Sequence, residues 1–271
     1  MPFDENGLLG RTAAHWAEEH RKRFATAFGD LETLNSACMT YLGRLTINNS
    51  NSKQMIAAGL FSRCLELFAS VVTLLERGLA NPVRALLRSF LEATIRLGAV
   101  AADDEFWQKF ILEDELNSRT VINVVRKSNA PHFAELKKWA TDERLDEIKQ
   151  ATHNIKKMSL EEIAKKAGMT QFYDTMYRTL SAPVHTGARE LLRHLVVNAA
   201  GKVEAVSFKP NDRETAVLAA TSATILCNAV TKFSEAIGVK LPDDVKGRAL
   251  PAKERLDQLI SDADVELPEP P

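Results

Sequence analysis

Apolar residues recur at three- and four-residue spacings along most of this chain, and that period predicts helices almost throughout. Residues 8–28 read as one amphipathic stretch, with Ala14, Trp16, Ala17, Phe24 and Phe28 set among charges. A second runs over 31–46, carrying Leu31, Leu34, Cys38, Met39, Leu42 and Leu45. The polar run 48–52 interrupts the pattern, and Ser52 suits the N-cap of the next helix. That helix, about 53–78, is apolar nearly all round, with polar residues confined to 63, 66, 70, 73 and 77. So narrow a polar stripe predicts a central helix surrounded on most sides. Gly78 stops it and Asn81-Pro82 opens a helix over 82–101; the short connection predicts antiparallel neighbours.

Acids at 103–105 open a further helix reaching about Lys127. The region 131–157 is helical but strongly polar and is expected to lie outside the core. Ser159-Leu160-Glu161-Glu162 reads as a capping box for a short helix ending near Gly168, after which Thr170 caps 171–182. A short helix follows His185 to about Leu195. The strand-like pattern is confined to 195–198 and 202–208 around Ala200-Gly201, one β-hairpin. Asn211 caps a long Ala- and Thr-rich helix to about Ile237, and from Leu241 a last helical piece leads into a frayed 267–271. The expectation is an all-α bundle of about eight to ten helices with one small hairpin near 195–208. Residues 1–50 read as an N-terminal helical segment, 51–240 as the bundle core with the hairpin, and 241–271 as a C-terminal helix and tail.

Composition narrows the function classes. The 35 basic and 36 acidic side chains leave a net charge of −1, which argues against a protein that coats DNA or lies on a membrane surface. Segments 54–80 and 82–102 are long and apolar, but Arg63, Glu66, Glu76 and Arg77 interrupt the first and Arg84, Arg88, Glu92 and Arg96 the second. A lipid-facing span does not tolerate that many charges, so both are expected to be buried core helices with no membrane partner. Cys38, Cys64 and Cys227 are scattered in apolar helical stretches and read as reduced core thiols of a cytoplasmic protein. There is no signal-peptide layout, glycine-rich phosphate loop, G-x-S-x-G, H-E-x-x-H or zinc-ligand spacing, so neither a metal nor a cofactor is expected.

The suggestive segment is Tyr177 to His185. Pro183 supplies no N–H, so the helix is expected to kink or end near Ala182 and present His185 at the start of the next helix. An imidazole there feels a positive potential, which keeps it neutral, as a general base must be. Tyr177, Ser181 and His185 are spaced by four and share a face if the helix persists, and Arg178 lies nearly two turns before His185. An Arg beside a neutral His suits a phosphodiester: the Arg stabilises charge on phosphorus while the His moves the proton of a 2′-hydroxyl. Equally, Tyr177, Ser181 and His185 fit a buried polar network that fixes the kink. His15, His20, His132 and His153 are expected to be solvated.

The series Arg88, Glu92, Arg96 is either a solvated ladder or, on so apolar a helix, partly buried, with Arg88 and Glu92 paired and Glu92 orienting His185 or Arg178. A ligand-binding regulator with a pocket lined by Arg88 and Glu92 remains a third reading.

Arg88-Ser89-Phe90-Leu91-Glu92, following Leu65-Glu66-Leu67-Phe68 and Leu74-Leu75-Glu76-Arg77-Gly78, resembles an uncharacterised, mainly bacterial family catalogued as a domain of unknown function. The Tyr-x-x-x-Ser-x-x-x-His stretch at Tyr177, Ser181 and His185 resembles its second hallmark. The likeness spans roughly residues 55–235 and implies an all-helical fold. A looser similarity is to the HEPN ribonucleases of toxin–antitoxin and antiviral systems, whose signature is an Arg, four to six residues, then a His. Arg178 and His185 have six between them. Thr179 stands where those enzymes usually carry a polar residue directly after the Arg. That likeness implies a metal-independent site, an RNA or nucleotide substrate, and a homodimer in which two Arg–His pairs face one cleft. The alternative is a non-catalytic helical module that binds a protein partner or a small ligand.

Overall fold

A computed structural model describes residues 4–184, 192, 195–206 and 211–265. It is an all-α bundle with one two-stranded antiparallel hairpin. The helices are α1 (Arg11–Arg23), α2 (Ala25–Gly43), α3 (Ser52–Glu76), α4 (Ala80–Ala102), α5 (Phe106–Lys127), α6 (Ala134–Trp139), α7 (Asp142–Thr152), α8 (Leu160–Lys166), α9 (Thr170–Phe172), α10 (Arg178–Val184), α11 (Asp212–Ile237) and α12 (Asp243–Val265). The strands are β1 (Leu195–Val197) and β2 (Val203–Val206).

Local chemistry accounts for the boundaries. Asn51, rather than Ser52, caps α3, its side chain accepting from the Gln54 amide. Asn211 does the same for α11 through Glu214. Ser159 and Glu162 form the reciprocal capping box of α8. Gly78, Gly168 and Gly238 adopt positive φ at helix ends, where a Cβ would be strained. The first break falls at Phe24, earlier than the apolar pattern predicts, so residues 8–28 are not one helix.

α3, α4 and α11 form the centre, with α2 and α12 against α11 on one side and α8 and α10 against α4 on the other. Phe61 and Phe233 stack at 4.4 Å between α3 and α11. The core draws on α2, α3, α4, α8, α11 and α12, from Ala27 to Leu256, so the three sequence segments share it. Arg255 of α12 forks onto the buried Asp30 carboxylate of α2, and the Tyr41 hydroxyl donates to the Val239 carbonyl at 2.6 Å. The first contact fixes the last helix to the second, and the other fixes the connection between α11 and α12 to it.

α3 is not the enclosed helix that its narrow polar stripe predicts. Met55, Gly59, Ser62, Arg63, Glu66, Ala69, Ser70 and Thr73 are exposed, and the enclosed helices are α4 and α11. Small residues count as apolar in a periodicity but do not demand burial. By length and composition α3 and α11 are apolar enough to cross a membrane; here each turns its buried residues onto the other and onto α4. The polar excursion has a small core of its own, Ile122, Val125, Ala140, Leu145 and Ile148 with Phe133 packed on it, separate from the main one.

The hairpin pairs Leu195 with Val206 and Val197 with Val203, with an irregularity after Val196. Asn198 shapes its turn by accepting from the Ala200 and Lys202 amides. The short helix expected after His185, the hairpin's expected extension to Phe208, and the tail 267–271 lie outside the described residues.

Candidate functional site

The helical run from Thr170 to Val184 changes gauge midway: Tyr173–Tyr177 is a five-residue π-helical segment between α9 and α10. The irregularity thus lies earlier than the kink or end that Pro183 predicts near Ala182; α10 runs through both residues to Val184, the last described residue of the run. Thr175, Thr179 and Ser181 each donate a side-chain hydroxyl to the carbonyl four residues back, a contact that bends helices. π segments are enriched at functional sites because the extra residue re-aims side chains.

Tyr177 and Ser181 are turned towards α4, where they meet Arg88. Its Nη2 donates to the Tyr177 hydroxyl at 2.7 Å and its Nε to Ser181 Oγ at 3.2 Å. The guanidinium also lies over the Tyr177 ring, 4.9 Å from the centroid. Tyr173 stacks on Tyr177 at 5.2 Å with an interplanar angle of 16°, and Arg178 covers Tyr173 at 5.4 Å. Arg178, Tyr173, Tyr177 and Arg88 thus form one column beside the π segment, two stacked rings with a guanidinium over each end.

The six candidate residues divide. Arg88, Tyr177 and Ser181 come together. Arg178 points away towards α8, its side chain 60% exposed, with Asp174 at 3.2 Å and Glu161 at 4.0 Å as its carboxylate partners. Glu92 is one turn along α4 from Arg88 and pairs with Arg96 at 3.1 Å, so the expected Arg88–Glu92 pair does not form and Glu92 does not orient Arg178. Both arginines lie four residues from Glu92, and the order with the acid N-terminal to the base, Glu92 before Arg96, is the favoured one. Arg96 also covers the Phe110 ring at 5.5 Å. His185 lies outside the described residues, as does His194.

Sequence reasoning missed Tyr173, Asp174 and Glu161. The four-residue interval from Tyr173 to Tyr177 was a legible signal for the stacked pair, whereas the Glu161 contact depends on how α8 packs.

His20 also departs from expectation. It is 1% exposed, stacked on Trp16 at 5.0 Å and packed by Phe24 and Phe28. One ring nitrogen, Nε2, lies 3.4 Å from Thr215 Oγ1. Burial lowers its pKa, so it stays neutral. His15, His132 and His153 are exposed as expected. Cys38 and Cys64 are buried and their thiols are pushed up to about 12, Cys227 to about 11, values that leave no thiolate for chemistry. No cluster of three or more metal-ligating side chains occurs among the described residues. Two open grooves lie away from Arg88, one along Glu18, Arg21 and Lys22 and one over Leu31, Phe68 and Val72. The first is lined by charged groups that are already paired, Arg21 with Glu32 and Glu76 and Lys22 with Glu19, and the second is mostly apolar, so the side-chain chemistry, not concavity, marks the candidate site.

Fold and cluster together define an all-helical domain with an arginine–tyrosine–serine cluster between two packed helices. The chain belongs to the family of unknown function DUF5677, whose model matches residues 54–202. The match takes in all but the first two residues of α3, and the whole of α4, the π segment and α10. No curated protein and no solved structure matches the chain.

Proposed function

We propose that this protein is a HEPN-like, metal-independent RNA-cleaving or nucleotide-processing protein of the cytoplasm, serving phage defence or a toxin–antitoxin pair. The observation that carries the reading is the column of two guanidiniums and two phenol rings on the π segment, immediately upstream of His185. Rings that stack on bases and cations that meet phosphates are the two recurring elements of single-stranded RNA recognition. In the proposed reaction the 2′-oxygen bonds to phosphorus, and its proton passes to His185. The bond from phosphorus to the 5′-oxygen breaks, and that oxygen takes up a proton. Arg178 offsets the charge gathering on the phosphoryl oxygens. The homodimer that the HEPN resemblance implies is part of this reading.

The test is RNA cleavage in the presence of a chelator, with melting temperature measured on the same samples. Wild type is expected to cleave, and His185→Ala and Arg178→Ala to lose cleavage by 10²-fold or more, roughly the contribution of one acid–base group, without a lower melting temperature.

A second reading, a non-catalytic helical module that binds a protein partner or small ligand, is favoured by the hydrogen bonds from Arg88 to Tyr177 and Ser181, which tie α4 to the π segment and α10. It is also favoured by the exposed apolar hairpin residues Val196, Val197, Val203 and Val206. Inert wild type together with a destabilised His185→Ala would select it.

A further inference from the structure

We infer that Arg88 and Tyr177 form a receptor for a phosphoryl oxoanion, an inference that rests on the reading of this cluster as a phosphate-handling site. Arg88 stands apart from its neighbours. Arg84, one turn earlier on α4, pairs with Glu214; Arg96 pairs with Glu92; Arg178 pairs with Asp174 and Glu161. Arg88 is half-buried, yet its described partners are all neutral: the Tyr177 hydroxyl, Ser181 Oγ and the Tyr177 ring. A guanidinium withdrawn from water without a counter-charge is costly unless an anion completes it.

The donors show where that anion sits. A guanidinium has five N–H groups. Nε–H goes to Ser181 and one Nη2–H to Tyr177, which leaves both Nη1 hydrogens and the second Nη2 hydrogen without acceptors among the described residues. The Tyr177 oxygen accepts from Arg88, and its own proton has no described acceptor. Among the described residues the buried side-chain polar atoms without a partner are His20 Nδ1 and Glu113 Oε2, so Arg88 Nη1, which has no acceptor, is reached by solvent. One edge of the guanidinium is therefore fixed by Tyr177 and Ser181 while the other stays open beside a phenolic O–H. Ser181 is a positioning residue: its hydroxyl proton is committed to the Tyr177 carbonyl at 2.7 Å, and its oxygen holds Nε.

Such a set suits phosphate better than carboxylate. A carboxylate presents two oxygens in one plane and one charge; a phosphoryl group presents three terminal oxygens and up to two charges, enough to meet the guanidinium edge and the phenol together.

The test uses the full chain and titrates inorganic phosphate, adenosine 5′-monophosphate and acetate in parallel by calorimetry. Phosphate is expected to bind saturably and acetate at least tenfold more weakly. Arg88→Gln should weaken phosphate at least tenfold, Tyr177→Phe severalfold with its ring retained, and the exposed Arg63→Gln not at all. Tyr177→Phe carries the test if Arg88→Gln fails to fold. Tighter binding of the nucleotide than of phosphate assigns the phosphoryl group to a nucleotide, and equal binding assigns it to free phosphate; both uphold the site. Absence of phosphate binding, acetate bound as tightly, or indifference to both substitutions overturns it. Phosphate binding without RNA cleavage leaves this site standing and removes the ribonuclease reading.

Discussion

Two arginines one turn apart on α4 meet opposite fates. At Arg84, whose side chain is 11% exposed, α4 packs on α11 and Glu214 supplies a carboxylate, with Asn81 accepting a further hydrogen bond at 2.9 Å. At Arg88, α4 packs on the π segment and α10 and, among the described residues, meets a phenol and a hydroxyl. The same residue type on one helix is thus electrostatically closed at one contact and open at the next. A closed pair holds helices together; an open cation bonded along one edge is ready for a ligand.

The sharpest way to break this contrast is Glu214→Ala. It strips the counter-charge from a nearly buried Arg84 and removes an acid from the positive end of α11, so unfolding free energy should fall by about 3 kcal/mol. Denaturant titration measures this, and a loss below about 1 kcal/mol would mean that Arg84 is no better compensated than a surface pair.

Acid should act on the same contact next, because His20 packs against Thr215, the residue after Glu214. Burial holds the His20 pKa below its ordinary 6.5, with Asp212 opposing the shift and Arg23 adding to it. The unfolded chain therefore takes up a proton that the folded chain resists. Stability is unaffected by this group well above pH 6.5, falls as pH drops through 6.5, and falls no further once pH is below the folded value. Urea midpoints at a series of pH values should show this slope in wild type and a shallower one in His20→Gln.

At the open contact, Arg88→Met should cost only about 1 kcal/mol, since it removes hydrogen bonds without orphaning a carboxylate. A cost equal to that of Glu214→Ala would erase the distinction. Smallest is Ser181→Ala, about 0.5 kcal/mol, read as a slight shift in melting temperature.

Much of the fold was legible. The caps at Asn211 and Ser159, the stop at Gly78 and the turn at Gly201 place element ends through residues a few positions apart, and such chemistry survives without tertiary context. Part of the candidate site was legible for the same reason: Tyr177 and Ser181 share a face by spacing alone, and Arg88 stood out on an apolar helix. The partner of Arg88 was not legible, because Glu92 lies four residues away in sequence while Tyr177 arrives from a helix far along the chain. The burial of His20 was hidden likewise. Its adjacent residues are charged, and the cover that Trp16 and Phe24 begin one turn either side is completed from α2 and α11.

By itself, then, the sequence determined the helical class, the hairpin, most boundaries and the inert setting of the thiols, all of which follow from periodicity, capping and local composition. Only the tertiary structure decided which arginine is neutralised, which histidine is buried, that α4 and α11 rather than α3 are enclosed, and that the irregular turn falls at Tyr173–Tyr177. Charge compensation and burial depend on groups brought together from distant parts of the chain, and no local pattern records which of several carboxylates or hydroxyls arrives.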